Sequence, residues 1–477
     1  MARRRVPAAR PGRSNAGGGD SGRRRRMTIR RSPQDNVRVA AAWVVERTLA
    51  SLAPTDSFLA TVLERYDERD QALLRELVFG TLRWLRRIDQ VITDASSRSF
   101  DDIEDVLHAP LRVAVYQLLF LDRIPAHAAV HEAVEQAHCL THRGAASFVN
   151  AVLRRIARSP SLDEWPVREQ DPVRRLAIEY SHPDVLVERW MERLGETRTR
   201  ELLVANNRPK PLQLLAFRHL GGREVLAETL IDEGIEVEPS ALSPVGVTVR
   251  RGNPFNTQAF RRGCFYIQDE ISQIAALLPP PRAGERILDA AAAPGGKSFA
   301  LKAQQPEVRL TLSDVSPART FQLRSNLQRL GLDLPTLTAN AKAFPAAGEP
   351  LFDRVVLDLP CCGTGTLRKN PELKWRISER EIGRLSRQGR RMMRAMAPLV
   401  KPGGLLVAIT CSLEQEENEA VVERFLNKNS EFAPLPLEEV LEAPLVRWVA
   451  GPGFWRVLPG GDHDGFTVHV LQRRKTL

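Results

Sequence analysis

The sequence predicts a three-part protein: an all-α domain, a small α+β connecting subdomain, and an α/β domain built on a doubly wound, mostly parallel sheet. Three observations carry this. Apolar residues recur at three-and-four spacing through 33–159, mixed patterns fill 160–255, and short apolar strands alternate with capped helices over 256–477. At 477 residues the chain can hold about three cores. Its 43% hydrophobic and 27% charged residues exclude wholesale disorder. No stretch reaches the roughly 18 uninterrupted apolar residues of a membrane span. The basic N-terminus has no apolar region behind it, so no secretory signal is expected. Five cysteines are too few for a disulfide framework, and a reducing cytoplasm is the expected setting.

The formal charge of +11 is unevenly spread. Residues 1–31 hold eleven Arg and one Asp, leaving about +1 on the other 446. Residues 1–32 therefore read as a disordered basic tail drawn to polyanions. The alternative is that Met27 is the true start.

Within 33–159 the first stripe is Val37, Ala40, Ala41, Val44, Val45, Leu49 and Leu52. Further stripes follow at Leu73, Leu77, Leu82 and Leu85, at Leu111, Val115, Leu118 and Leu119, and at Val149, Val152, Leu153 and Ile156. Pro54, Pro110 and Pro125 punctuate the run, which predicts a compact helical bundle. The 160–255 segment has two helical patterns over 175–205, a corner at Arg208-Pro209-Lys210-Pro211, then short strands and a helix. Beyond it come the strands ERILDA, VRLTLSD, FDRVVLDLP and GGLLVAITC. Ser316-Pro317 predicts a helix start and Gly331 its stop. Ser378 and Glu381 form a capping box for a helix ending at Pro402-Gly403-Gly404, and GFTVHVLQRR suits a late edge strand.

Ligands of such sheets bind at the strands' carboxyl ends. The first strand runs into AAAPGGKS, where Gly295 and Gly296 would let the backbone approach a ligand and Ala291 to Ala293 leave room. A mere tight turn is the alternative. The absence of G-x-G-x-x-G weighs against a dinucleotide. The second strand ends at Asp314, placed either for ribose hydroxyls or for an Asx turn. Asp358, Pro360, Cys361, Cys362 and Gly363 follow the fourth strand; the paired cysteines are either reactive or apolar filler. Cys411 ends the fifth strand just before a capping box at Ser412 and Gln415, so a helix end would favour its thiolate, unless it is a buried structural cysteine. No paired CxxC or His spacing accompanies these thiols, and no metal is expected.

These segments together resemble the RNA 5-methylcytosine methyltransferases that use S-adenosylmethionine. QDEISQ (268–273) is similar to that family's QDxxSQ, and LDAAAAPGGK to LDxCAAPGGK. DLPCCGTGTLRKNPELKW is similar to DxPCSGxGxxRRxPDxKW; ITCS with EENE and the late DGF complete the match. Residues 111–137 and 148–156 resemble the helical RNA-binding domain of the antitermination factor NusB. The pairing resembles the RsmB (Sun/Fmu) branch, whose resemblance implies methylation of cytosine 967 in 16S rRNA by a cytoplasmic monomer without membrane contact. It implies Cys411 as nucleophile on C6, Cys361 in product release, Asp358 at the base's N3 and amine, and Lys297 in support. It further implies cofactor contacts from Ala291, Ala292, Ala293, Pro294, Gly295, Gly296, Lys297, Asp314, Asn340 and Asp358. Ala291 and Cys362 depart from the family's Cys and Ser, and Asn340 stands where an Asp is usual. A non-catalytic RNA-binding factor, or an enzyme for another rRNA or tRNA site, is the alternative.

Overall fold

The computed structural model describes residues 36–341, 344 and 350–475. The expected tail at 1–32 and the Met27 start lie outside them. Seven α-helices, Val37–Leu49, Thr55–Leu63, Glu68–Arg83, Leu85–Ser96, Asp105–Phe120, Ala126–Leu140 and Arg143–Arg158, surround one apolar core. Asn36 and Asp67 cap the first and third by accepting from Arg38 N and Asp70 N. Val37, Ala40, Ala41, Val44 and Val45 are buried as their spacing requires. Leu52 lies past the first helix's end and is 82% exposed. Pro110 does not separate helices. It sits buried inside Asp105–Phe120, where it removes one backbone donor without ending the helix.

Helices Pro172–Glu179 and Asp184–Asn207 follow, the second kinked at Gly195 with φ 77°. A four-stranded antiparallel sheet comes next, from β1 (Leu212–Ala216), β2 (Glu236–Pro239), β3 (Gly246–Arg251) and β4 (Phe265–Ile267), in the order β2-β3-β1-β4. Its last strand thus lies beyond residue 255.

The large sheet takes β5 (Arg286–Asp289), β6 (Arg309–Asp314), β7 (Thr336–Thr338), β8 (Phe352–Asp358), β9 (Val400–Thr410), β10 (Phe432–Pro434), β11 (Val449–Gly451), β12 (Phe454–Val457) and β13 (Phe466–Arg473). The order is β11-β12-β13-β9-β8-β5-β6-β7, with β10 also paired to β13. Strands β5 to β9 are parallel and helices cover both faces, so the expected doubly wound architecture is present. The winding order of the parallel strands reverses between β5 and β8, which opens a crevice at their carboxyl ends. Ser316 caps the helix Pro317–Arg329 as expected. Two expectations fail. β13 is not an edge strand, because the β11–β12 hairpin pairs beyond it and covers its second side. The helix capped by Ser378 ends at Met396, and Pro402-Gly403-Gly404 fall inside β9, where the register shifts against β8. No helix among the described residues is long and apolar enough to cross a membrane.

The stretch after β8 binds the helical domain to the sheet domain. Lys374, fully buried, donates to Arg83 O (3.1 Å), Ser181 O (3.1 Å) and Asn207 Oδ1 (2.7 Å). Trp375 Nε1 donates to Leu82 O at 2.8 Å, and Arg376 Nη2 to Thr48 O and Ala53 O. These acceptors include carbonyls that helix ends leave without intrahelical partners. Lys374→Met keeps the stem but strips three buried acceptors of their donor. We expect it to lower stability by roughly 3–5 kcal/mol, read as a fall in denaturation midpoint; an unchanged midpoint would show that the clamp contributes nothing.

Candidate active site

Four strand ends, those of β5, β6, β8 and β9, and the loop before β13 converge in the crevice. From β5, Asp289 is fully buried and accepts from Ser298 Oγ at 2.6 Å; burial raises its pKa to about 6. The turn Ala290–Gly295 leads into the helix Gly296–Gln304. It is tied down by Ala290 N to Val356 O (3.1 Å), Ala292 N to Ser313 O (2.8 Å) and Asn326 Nδ2 to Pro294 O (2.9 Å). A Cβ on Gly295, at φ 121°, would meet the Phe299 ring at 2.1 Å, and one on Gly296 would meet the Gln268 amide at 3.2 Å. Protein packing alone therefore requires a small residue at position 295.

From β6, Asp314 is buried. Its Oδ1 accepts from Ser316 N at 3.0 Å, while Oδ2 accepts no hydrogen bond and lies 3.4 Å from Arg319 Nη2. The next residue, Val315, is 59% exposed, an apolar surface at the crevice rim that sequence reasoning did not single out. Asn340 lies just past β7, whose following residue donates from Ala339 N to Asp314 O at 3.0 Å.

At the centre, Lys297 Nζ donates to Asp358 Oδ2 at 2.5 Å and lies 5.8 Å from the centre of the Phe466 ring. Burial disfavours the Lys297 charge, but the Asp358 carboxylate outweighs it and holds the pKa above the usual lysine value. Cys361 Sγ and Cys411 Sγ are 3.5 Å apart. The two thiols are driven in opposite directions. The hydrogen bond shared with Cys361, with help from the Lys297 charge, holds Cys411 below the usual thiol value against burial and the Asp358 charge. The same contact and burial push Cys361 well above it. Cys411 is thus the better thiolate, although not for the reason read from sequence. Ser412 Oγ accepts from Glu414 N at 3.0 Å in a local turn, and the helix starts only at Glu419. The capping box at Ser412 and Gln415 does not form; a short 3-10 turn, Gln415–Glu417, follows instead. The neighbouring thiol and lysine lower the pKa instead.

Cys362 faces elsewhere. It is buried, its Sγ donates to Glu417 Oε2 at 3.0 Å, and its N–H reaches both Glu417 oxygens at 3.1 Å. Burial and Glu417 push its thiol well above the usual value, which leaves it a packing residue. The turn after Cys362 is pinned to the Cys411 backbone: Gly365 N donates to Cys411 O (2.8 Å) and Gly465 N to Gly365 O (2.7 Å). A Cβ at Gly365 would sit 2.2 Å from Gly465 O, so only glycine fits. Asp464 and Asp269 share Lys210, tying the DGF and QDEISQ segments together. None of these supports was visible in the sequence beyond its motif, because each joins residues far apart in the chain.

The opposed thiols give an expected result that needs no turnover. Alkylation of Cys411 by iodoacetamide should follow a thiolate that forms below the free-thiol value of about 8.5, and Cys361→Ala should move that midpoint upward. Peptide mass spectrometry across a pH series reads both; identical midpoints would contradict the coupling.

Three family models match consecutive parts of the chain: the NusB family over 36–158, the ferredoxin-like domain of RsmF/B-like methyltransferases over 182–256, and 16S rRNA methyltransferase RsmB/F over 275–472. The probable ribosomal RNA small subunit methyltransferase B of Bacillus subtilis is 34% identical, over 88% of this chain and 95% of that protein. Ribosomal RNA small subunit methyltransferase B of Salmonella paratyphi B is 32% identical, over 84% and 92%. Among solved structures, PH0851 superposes with a TM-score of 0.76 at 27% identity, over 92% of this chain and 99% of that one. A methyltransferase homolog from Pyrococcus horikoshii does so with 0.53 at 25%, over 64% and 99%. Together with a cofactor-type crevice bearing Asp314 and a paired-thiol centre, these likenesses establish that the chain belongs to the RsmB/F family of S-adenosylmethionine-dependent 16S rRNA methyltransferases.

Proposed function

We propose that this protein methylates C5 of a cytosine in 16S rRNA, position 967 being the expected target, through a transient bond from Cys411 to C6. The observation that carries this is the thiol pair 3.5 Å apart beside the Asp358–Lys297 ion pair. Cytosine C5 is a weak nucleophile and needs electron density loaded from its neighbour.

The crevice suits the cofactor. The unsatisfied Asp314 Oδ2 would accept from ribose hydroxyls, exposed Val315 offers an apolar surface to a base, and the Asn340 amide would accept from an adenine amine. Ala291, Ala292, Ala293, Pro294, Gly295 and Gly296 would wall the remainder. S-adenosylmethionine, when bound, supplies an electrophilic methyl group on a sulfonium.

The protein's own groups do the rest. Cys411 adds to C6 as a thiolate, and the C5–C6 π pair moves onto C5, which then forms its bond to the methyl carbon. Asp358, fixed through Oδ2 by Lys297, has its other oxygen to accept from the base's exocyclic amine and to share a proton placed at N3, and so stabilises the adduct by hydrogen bonding. Once Cys411 is bonded to carbon it no longer holds the Cys361 proton in place. Cys361 can then ionise, its proton passing to solvent, and take the C5 proton as the C6–S bond breaks; the C5–H pair becomes the C5–C6 double bond and the C–S pair returns to Cys411. The helical domain over 33–159 and the connector over 160–255 would position the rRNA around this centre. Base-resolution mapping of 5-methylcytosine in rRNA, with and without the gene, tests the reading: one cytosine should lose its methyl group, and an unchanged map would overturn it.

A further inference from the structure

Helices Glu379–Met396 and Glu419–Leu426 pack on one face of the sheet through Met392, Met393, Met396, Val421, Val422 and Phe425. Between their outer sides runs a groove of about 480 Å³, lined by Arg387, Arg390, Arg391, Arg394, Arg424 and Lys428 and by no carboxylate. Among the described residues none of these six cations forms an ion pair or donates a side-chain hydrogen bond. Neighbouring Arg384, by contrast, is paired with Glu381. Residues 32–477 carry only about +1 in total, so this is local segregation of charge rather than a generally basic body. Six like charges in one groove repel one another, and burial of the helices' opposite faces fixes them there.

The chemistry of these groups selects the occupant. Guanidinium forks match phosphate oxygens in bidentate fashion, and the five arginines are far better suited to that geometry than to a single carboxylate. Arg387, Arg391 and Arg394 fall on one helical face and span about 10 Å at 1.5 Å per residue, room for more than one phosphate. The helix Glu379–Met396 leads into the start of β9, whose other end carries Cys411, so Arg390 to Arg394 lie towards the opposite end of the sheet from the sulfurs. RNA touching both places must extend well beyond the target nucleotide.

We propose that this groove holds the phosphate backbone of RNA flanking the target, as a binding site separate from the sulfur pocket. The proposal rests on the rRNA methyltransferase reading and locates where the remote part of that substrate is held. The test measures dissociation constants against salt for two RNAs, a minimal hairpin carrying the target cytosine and a long 16S rRNA fragment containing it. In Arg391→Ser/Arg394→Ser/Lys428→Ser, affinity for the long fragment should fall at least tenfold. The slope of log K on log salt should shrink by about 2–3, at roughly 0.7–0.9 per lost phosphate contact. The hairpin should change less than about twofold, because three lost contacts act only where RNA reaches them. Arg391→Lys/Arg394→Lys should keep the wild-type slope. Equal weakening of both RNAs would overturn the proposal by reducing it to general electrostatics. An unchanged slope on the long fragment, as for a groove that takes an acidic protein, would overturn it as well. If the wild-type protein binds both RNAs but methylates neither, the catalytic reading fails, and the two binding curves still decide the groove.

Discussion

Under the proposed mechanism Cys411→Ala should stop methyl transfer, with an expected loss of at least about 1,000-fold in kcat, because no other group would load electron density onto C5. The pocket offers no substitute. Cys361 lies 3.5 Å away but is held protonated by burial and by its contact with Cys411, and Cys362 is committed to Glu417. S-adenosylmethionine affinity should stay within about twofold, since the residues expected to hold it sit on other strand ends. Calorimetric titration with the cofactor, paired with tritium transfer to rRNA, separates the two outcomes. Retained turnover would remove Cys411 from the mechanism. Lost cofactor binding would show that the substitution had collapsed the crevice instead.

Cys361→Ala should have the second largest effect, and of a different kind. The nucleophile remains, so C6 is still attacked and C5 still methylated, but proton removal and elimination slow. A covalent protein–RNA complex should therefore accumulate and survive a denaturing gel, with turnover falling by about 100-fold or more. Its formation should also need a higher pH than in the wild type. The Cys361 hydrogen bond holds the Cys411 pKa down, so removing it raises the pH at which the thiolate appears. If this variant releases methylated RNA at the normal rate, the division of labour between the two sulfurs is wrong.

Much of this was legible in the sequence because the information is local. The stripe Val37–Val45 needs only helical spacing to declare its buried face, and Ser316-Pro317 needs only its neighbours to start a helix. The strand ends at Asp289, Asp314, Asp358 and Cys411 could be read as one crevice because doubly wound sheets place all carboxyl ends on one side. What differed depended on how the folded chain packed. β13 looked like an edge strand until the β11–β12 hairpin paired with it. Ser412 looked like a helix cap, but the chain turns tightly there instead, its Oγ accepting from Glu414 N. Lys374 gave no sign that its side-chain nitrogen would be buried against the helical domain, since its acceptors lie at residues 83, 181 and 207.

The most direct test replaces cytidine by 5-fluorocytidine in the rRNA substrate. Fluorine at C5 cannot be removed as a proton, so elimination stops and the sulfur stays attached to the ring. Digestion and mass spectrometry of the trapped complex with wild-type protein should find the nucleotide on the peptide bearing Cys411, through C6, with the methyl group already on C5. Attachment at Cys361, or methyl transfer without any trapped complex, would contradict the mechanism.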